Sequence, residues 1–72
     1  MLTRLEDEIA NLVADGLVNK QIGNNLGISE QEVSETLSGI CKKVRVSDRI
    51  ELFLYILSQR QNRMRRRSGS GS

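Results

Sequence analysis

The chain has 72 residues, of which 38% are hydrophobic and 28% are charged, and its formal net charge is +2. This length allows one small domain, and the composition is typical of a soluble globular protein rather than of a disordered chain. No apolar run approaches the roughly 18 residues of a membrane span and no signal peptide is evident, so we expect no membrane partner and a cytoplasmic location. The sequence has no histidine and a single cysteine, Cys41. An internal disulfide is therefore excluded, and we expect no metal site, no cofactor and no enzymatic activity.

The positive charge is concentrated at the end of the chain. Residues 1–59 carry six basic and nine acidic side chains, whereas residues 60–72 carry five arginines and no acid. The last residues, SGSGS, have the composition of a linker. We therefore predict a folded domain over residues 1–59 and a basic, then Gly/Ser-rich, disordered tail over residues 60–72. The arginines of this tail are either an electrostatic arm for phosphates or a solubilising segment.

Hydrophobic periodicity and terminal signals predict an all-α fold with four helices. The helices are expected near residues 3–15, 19–26, 30–45 and 48–60. Thr3 and Glu6 have the capping-box spacing at the start of the first helix. The apolar stripe of this helix is expected to consist of Leu5, Ile9, Leu12 and Val13.

The second and third predicted helices are joined by a tight turn. Asn19 is expected to cap the second helix, and Gly27 is expected to end it in the left-handed conformation. Gly23 has no Cβ and so allows a second helix to pack closely against it. Ser29 and Glu32 have the capping-box spacing at the start of the third helix. These features together are typical of a helix-turn-helix motif.

The fourth predicted helix is apolar on two sides. Ser47 is expected to cap it. We assign one face to the core, formed by Ile50, Phe53, Leu54 and Leu57. Leu52, Tyr55 and Ile56 lie off that face and are candidates for a dimer contact, because a helix that is apolar on two sides is buried on two sides or meets a partner. Alternatively, some of these residues close the core and the others are scattered on the surface.

Most of the chain, from about residue 2 to residue 57, resembles the LuxR/GerE-type helix-turn-helix DNA-binding domain. The residues that carry the resemblance are Leu2, Thr3, Glu6, the turn Ala14-Asp15-Gly16-Leu17, the run Asn19-Lys20-Gln21-Ile22, Ile28-Ser29-Glu30, Val33, Lys43, Val44, Val46 and Arg49. The resemblance implies a four-helix unit whose third helix enters the major groove of double-stranded DNA. It also implies a homodimer that forms through the fourth helix and binds an inverted repeat in the DNA.

The exposed face of the third helix supplies the candidates for base contacts, namely Gln31, Ser34, Glu35 and Ser38. The family commonly has lysines where this sequence has Ser34 and Ser38, so the reading surface departs from the family pattern. Gln31 suits adenine, and a carboxylate can accept a hydrogen bond from the amino group of cytosine. Phosphates nevertheless repel Glu35, and the alternative is a solvated polar face without base readout.

The resemblance also implies phosphate contacts by Lys20, at the start of the second helix, and by Lys42 and Lys43, at the end of the third. Arg49 is a further candidate for a phosphate contact. Such contacts give affinity without sequence information. The helix dipole also favours Lys42 and Lys43 near a helix C-terminus, whether or not they bind DNA.

The favoured hypothesis is a DNA-binding transcriptional regulator, either a stand-alone protein or the output domain of a response regulator. An alternative is a protein-interaction module or anti-regulator, in which the acidic third helix contacts a protein partner. A third hypothesis is the related fourth region of a sigma factor, but the Asn19-Lys20 and Ile28-Ser29-Glu30 segments favour the LuxR/GerE reading.

Overall fold

Four helices account for most of the chain. The computed structural model describes the backbone of residues 2–70 and the side-chain surroundings of residues 2–62. The helices are α1 (Arg4–Ala14), α2 (Asn19–Leu26), α3 (Glu30–Val44) and α4 (Arg49–Ser70), and residues 2–70 contain no strand. The predicted all-α, four-helix fold is therefore confirmed.

Side-chain caps begin α1 and α3 as predicted. The Glu6 carboxylate accepts a hydrogen bond from the Thr3 N–H at 2.8 Å, and the Thr3 hydroxyl accepts one from the Glu6 N–H at 3.2 Å. The same reciprocal pair joins Ser29 and Glu32, at 3.0 Å and 3.3 Å. Both pairs satisfy backbone N–H groups that have no partner within the helix.

The other two predicted caps are wrong by one residue. Val18, not Asn19, is the N-cap of α2, and its N–H donates to the Gln21 side chain at 2.9 Å. At α4 the Asp48 carboxylate accepts from the Glu51 N–H at 2.9 Å, so Asp48 caps the helix instead of Ser47. A carboxylate is as good a cap as a hydroxyl, so sequence spacing alone did not distinguish Asp48 from Ser47.

The turn between α2 and α3 depends on two glycines. Gly27 ends α2 with φ of 72°, in the left-handed region that glycine adopts at little cost. At Gly23, a Cβ atom would lie 2.7 Å from the Ile28 carbonyl oxygen, so the backbone of the turn occupies the space that a side chain would need. The close approach at Gly23 is thus made by the turn leading into α3, and not by a helix packed across it as predicted.

The core lies where α1 packs against α3 and α4, and α2 closes it by packing against α3. Its buried side chains are Ile9, Ala10, Val13, Ala14, Ile22, Val33, Leu37, Ile40, Leu52 and Ile56. Leu5, which was predicted to be part of the α1 stripe, is exposed. Ala10 and Ala14 take part instead.

The faces of α4 are only partly as predicted, because half of the predicted core face is exposed and half packs against the core. Leu52 is 0% exposed and Ile56 is 7% exposed, whereas Ile50 is 71% and Leu54 is 57% exposed. Leu52 and Ile56 are therefore core residues, and their assignment as dimer candidates is wrong. Tyr55, the third candidate, is half-buried against the core. Both faces of the helix are apolar, so the periodicity did not reveal which one α1 covers.

The fourth helix is also longer than predicted. It was expected to end near residue 60, but it continues to Ser70, through the segment predicted to be disordered. Arginine, glutamine and methionine have favourable helix propensities, and no proline interrupts the segment. The Arg60 side chain donates to the Asn11 carbonyl oxygen at 3.1 Å and pairs with Asp15 at 3.0 Å. Arg60 therefore belongs to the folded domain rather than to the tail.

Candidate nucleic-acid interface

One face of α3 carries the residues predicted to read bases. Gln31, Ser34, Glu35 and Ser38 are all exposed. Their i, i+3, i+4, i+7 spacing places them in one row on the helix surface. We call this row the α3 stripe, and Lys42 extends it by one more turn. The buried side chains of α3 are on the other side of the helix.

Two acidic residues of α3, Glu32 and Glu35, make different hydrogen bonds and so have different roles. The Glu32 carboxylate accepts from the Ser29 N–H at the start of the helix, so it belongs to the cap. The Glu35 carboxylate instead accepts from the Gln31 amide nitrogen at 3.4 Å. Both of these residues lie on the α3 stripe, so this contact links two of the four base candidates.

A groove of about 420 Å³ runs along the α3 stripe. Ser34, Ser38 and Lys42 form its α3 wall, and Asn19 and Arg49 contribute from the first turns of α2 and α4. Two of the four phosphate candidates, Lys42 and Arg49, therefore lie beside two of the base candidates.

Arg49 also has a structural role at this edge. Its guanidinium donates to the Leu17 carbonyl oxygen at 2.7 Å and to the Asn19 side-chain oxygen. It thereby ties the start of α4 to the α1–α2 turn. Lys20, the next residue after Asn19, is exposed in the first turn of α2. Asn19 was predicted to be a helix cap and a mark of the family, but its place in the groove was not predicted. Its contact with Arg49 joins residues 30 positions apart, so no local pattern reveals it.

Lys43 points elsewhere. Its ammonium group lies 2.7 Å from the Glu6 carboxylate at the start of α1. The pKa of Glu6 is lowered by the hydrogen bond from Lys43 and by the backbone hydrogen bond from Thr3. This ion pair directs Lys43 toward α1, so Lys42 and not Lys43 lies on the α3 stripe. The geometry therefore does not support the assignment of Lys43 as a phosphate contact.

Cys41 also lines the groove and is half-buried. Burial is the main cause that raises the pKa of its thiol, and the negative charges of Asp48 and Glu51 raise it further. A thiol with a raised pKa carries little thiolate at neutral pH and is a poor nucleophile. These surroundings agree with a structural role for Cys41 rather than a reactive one.

Two other structural features are absent from the residues that the structure describes. These residues contain no cluster of three or more metal-binding side chains. Likewise, none of the described helices has the length and apolar character needed to span a membrane.

The fold and the exposed α3 stripe define a helix-turn-helix domain, in which α2 supports α3 and leaves one face of α3 open. Residues 1–57 match the sequence model of the luxR family of bacterial regulatory proteins, and the chain belongs to that family. The resemblance drawn from the sequence is thus confirmed. A family of regulatory proteins also agrees with the prediction that the chain is not an enzyme.

Three curated relatives illustrate the similarity. The chain is 37% identical to the probable transcriptional regulator ycf29 of Guillardia theta over 54 residues, or 75% of the chain. It is 43% identical over 51 residues, or 71% of the chain, to the transcriptional regulatory protein DegU of Brevibacillus brevis. It is 37% identical over 60 residues, or 83% of the chain, to the nitrate/nitrite response regulator NarP of Escherichia coli. The matched segments span only 26%, 22% and 28% of these relatives, respectively.

Proposed function

We propose that this chain is a DNA-binding domain of a transcriptional regulator, with α3 lying in the major groove. The observation that carries the proposal is the α3 stripe, a row of exposed polar side chains flanked by Lys42 and Arg49. A major groove about 12 Å wide admits an α-helix, and polar side chains on the exposed face then meet base edges. Membership of the luxR family and the transcriptional relatives support the same function.

Phosphate contacts would hold the helix in the groove. Lys42 and Arg49 lie at the edge of the α3 stripe, and Lys20 is exposed in the first turn of α2. Their charges would release counterions from DNA, so affinity would fall as the salt concentration rises. This domain would act either by itself or as the output domain of a longer response regulator, and the second case agrees with matched segments that cover about a quarter of the relatives.

A second copy would bind through the outer face of α4. Ile50 and Leu54 are large apolar side chains exposed on this face. Leu57, at i+7 from Ile50, is half-buried against the core at the end of this row. Burying such a row removes apolar surface from water, at about 25 cal/mol per Å². A two-fold dimer would suit an inverted repeat whose half-sites lie roughly 34–36 Å apart.

The dimer has a direct test. Leu54→Glu should convert a dimer to a monomer in sedimentation velocity, because a carboxylate would be buried in the contact. Gln59→Glu adds the same charge at an exposed position of α4 away from the apolar row, and it should leave the mass unchanged. Equal masses for the wild type and the Leu54 variant would remove this face from the proposal.

DNA binding is tested by fluorescence anisotropy with a pool of random duplexes at about 50 mM salt. The full chain should be compared with a chain that ends at Asn62, which keeps Arg60 and its contacts with α1. Binding by both, with affinity that falls as salt rises, supports docking by the domain itself. Binding by the full chain alone would assign the affinity to the arginines of residues 63–72.

The exposed carboxylates of α3 favour a second candidate function. Glu30 and Glu35 are exposed, and no basic side chain lies on the α3 stripe before Lys42. A protein partner with a basic surface would complement this charge. If neither chain binds duplex DNA, α3 should be tested against such partners, and the acidic residues then become the candidates for the contact.

A further inference from the structure

Glu35 is the only acidic residue on the α3 stripe. Two other carboxylates lie nearby, but Glu32 is engaged with Ser29 at the cap and Glu30 falls outside the i, i+3, i+4, i+7 spacing. Glu35 is exposed, and it follows Gln31 by one helical turn. In a helix that lies in the major groove, its charge would therefore meet base edges rather than solvent.

The chemistry of a carboxylate restricts the base that it can contact. An ionised carboxylate only accepts hydrogen bonds. In the major groove guanine and thymine present acceptors, whereas cytosine presents an amino group and adenine presents an amino group beside an acceptor nitrogen. Cytosine is therefore the base that offers a donor without an adjacent acceptor of its own.

The contact with Gln31 restrains the Glu35 carboxylate and leaves one of its oxygens available to a base. The Gln31 amide nitrogen donates to one carboxylate oxygen, Oε2, at 3.4 Å. The other oxygen, Oε1, makes no hydrogen bond to a protein group among residues 2–62. The pair thus limits the motion of the side chain and keeps one acceptor available for a base.

We propose that Glu35 selects a cytosine in each half-site, an inference that rests on the proposed docking of α3 in the major groove. Cytosine would be selected because it pairs with the Glu35 carboxylate, and also because other bases leave that carboxylate unpaired. A carboxylate close to phosphates and without a donor is repelled and loses its hydration, so every site that lacks the amino group binds less tightly. Lys42 lies at the far end of the stripe, so the nearest cation on α3 is about two turns from Glu35.

The test is a binding-site selection from random duplexes with the full 72-residue chain, followed by anisotropy on the selected site. The wild type should select cytosine at one fixed position of each half-site. Replacing this C·G pair by T·A should lower the affinity roughly 5- to 150-fold, because an acceptor then replaces the donor. Glu35→Gln should shift the selected base toward adenine, which a glutamine side chain contacts through both of its polar atoms.

Glu30→Gln is the matched control. It removes the same charge from the first turn of the same helix, at an exposed position off the α3 stripe, and it should keep the cytosine preference. A Glu35→Gln chain that selects the same cytosine as the wild type would overturn the inference. A wild-type chain that binds DNA in a salt-dependent way without any cytosine position would do the same, and both results leave the proposed function standing. A wild-type chain that binds no duplex would overturn the proposed function itself.

Discussion

Replacing Gly23 by alanine tests the turn that supports α3. A Cβ atom at this position would lie 2.7 Å from the Ile28 carbonyl oxygen and 3.5 Å from the Glu30 nitrogen. Both neighbours are backbone atoms of the turn and the first residue of α3, so the clash cannot be relieved by rotating a side chain. The turn would have to move, and α3 would move with it.

Gly39 provides a matched comparison. It lies within α3, and a Cβ atom there would be 4.0 Å from a Glu6 carboxylate oxygen, which is an ordinary contact distance. Both substitutions gain about 0.5–1 kcal/mol of helix propensity, because alanine replaces a glycine inside a helix. The difference between the two variants therefore isolates the steric cost at Gly23, which is about 1–3 kcal/mol for an overpacked site.

Thermal unfolding followed by circular dichroism measures this difference. For a domain of this size, each kcal/mol changes Tm by about 4–8 °C. Gly39→Ala should therefore melt about 4–24 °C above Gly23→Ala, and it should melt above the wild type. Gly23→Ala should also weaken DNA binding more than Gly39→Ala, because the clash moves α3. Equal melting temperatures for the two variants would refute the close approach at Gly23.

Two further predictions concern adjacent charges. Lys42→Gln should lower the magnitude of the slope of log affinity against log salt by about one unit, because one phosphate contact is lost. Lys43→Gln should leave that slope unchanged and slightly lower Tm, because the ammonium group of Lys43 pairs with Glu6. An equal loss of slope in both variants would contradict these assignments. Arg45 ends α3 with φ of 62°, a left-handed conformation that a Cβ atom disfavours. Arg45→Gly should therefore raise the free energy of unfolding by about 1 kcal/mol in urea titrations, and Arg45→Ala should not.

Local signals in the sequence predicted much of the fold. The capping boxes of Thr3 with Glu6 and of Ser29 with Glu32 each involve residues three positions apart, so their spacing is visible in the sequence. Gly27 was predicted to take a left-handed conformation because glycine adopts it at low cost, and its φ of 72° agrees. The same reasoning failed to anticipate Arg45, because a non-glycine residue in that conformation has no local signal.

The candidate interface was predicted in part. The four base candidates were expected on one exposed face of α3, and all four are exposed. Their contacts with DNA stay a prediction. Two adjacent phosphate candidates have different surroundings in the structure. Lys43 pairs with Glu6, 37 positions away in the chain, whereas Lys42 lies on the α3 stripe. The partner of Lys43 lies on α1, so the sequence of α3 alone does not reveal this ion pair.

The sequence by itself determined where the first three helices lie, how α1 and α3 begin, and which residues of α3 face outward, because these features depend on interactions within a few residues. Only the tertiary structure decided which apolar face of α4 is buried. Leu52 and Ile56 are in the core, and Ile50 and Leu54 face outward. Both pairs have helical spacing and similar hydrophobicity, so burial was decided by the position of α1, whose packing against α4 joins residues far apart in the chain.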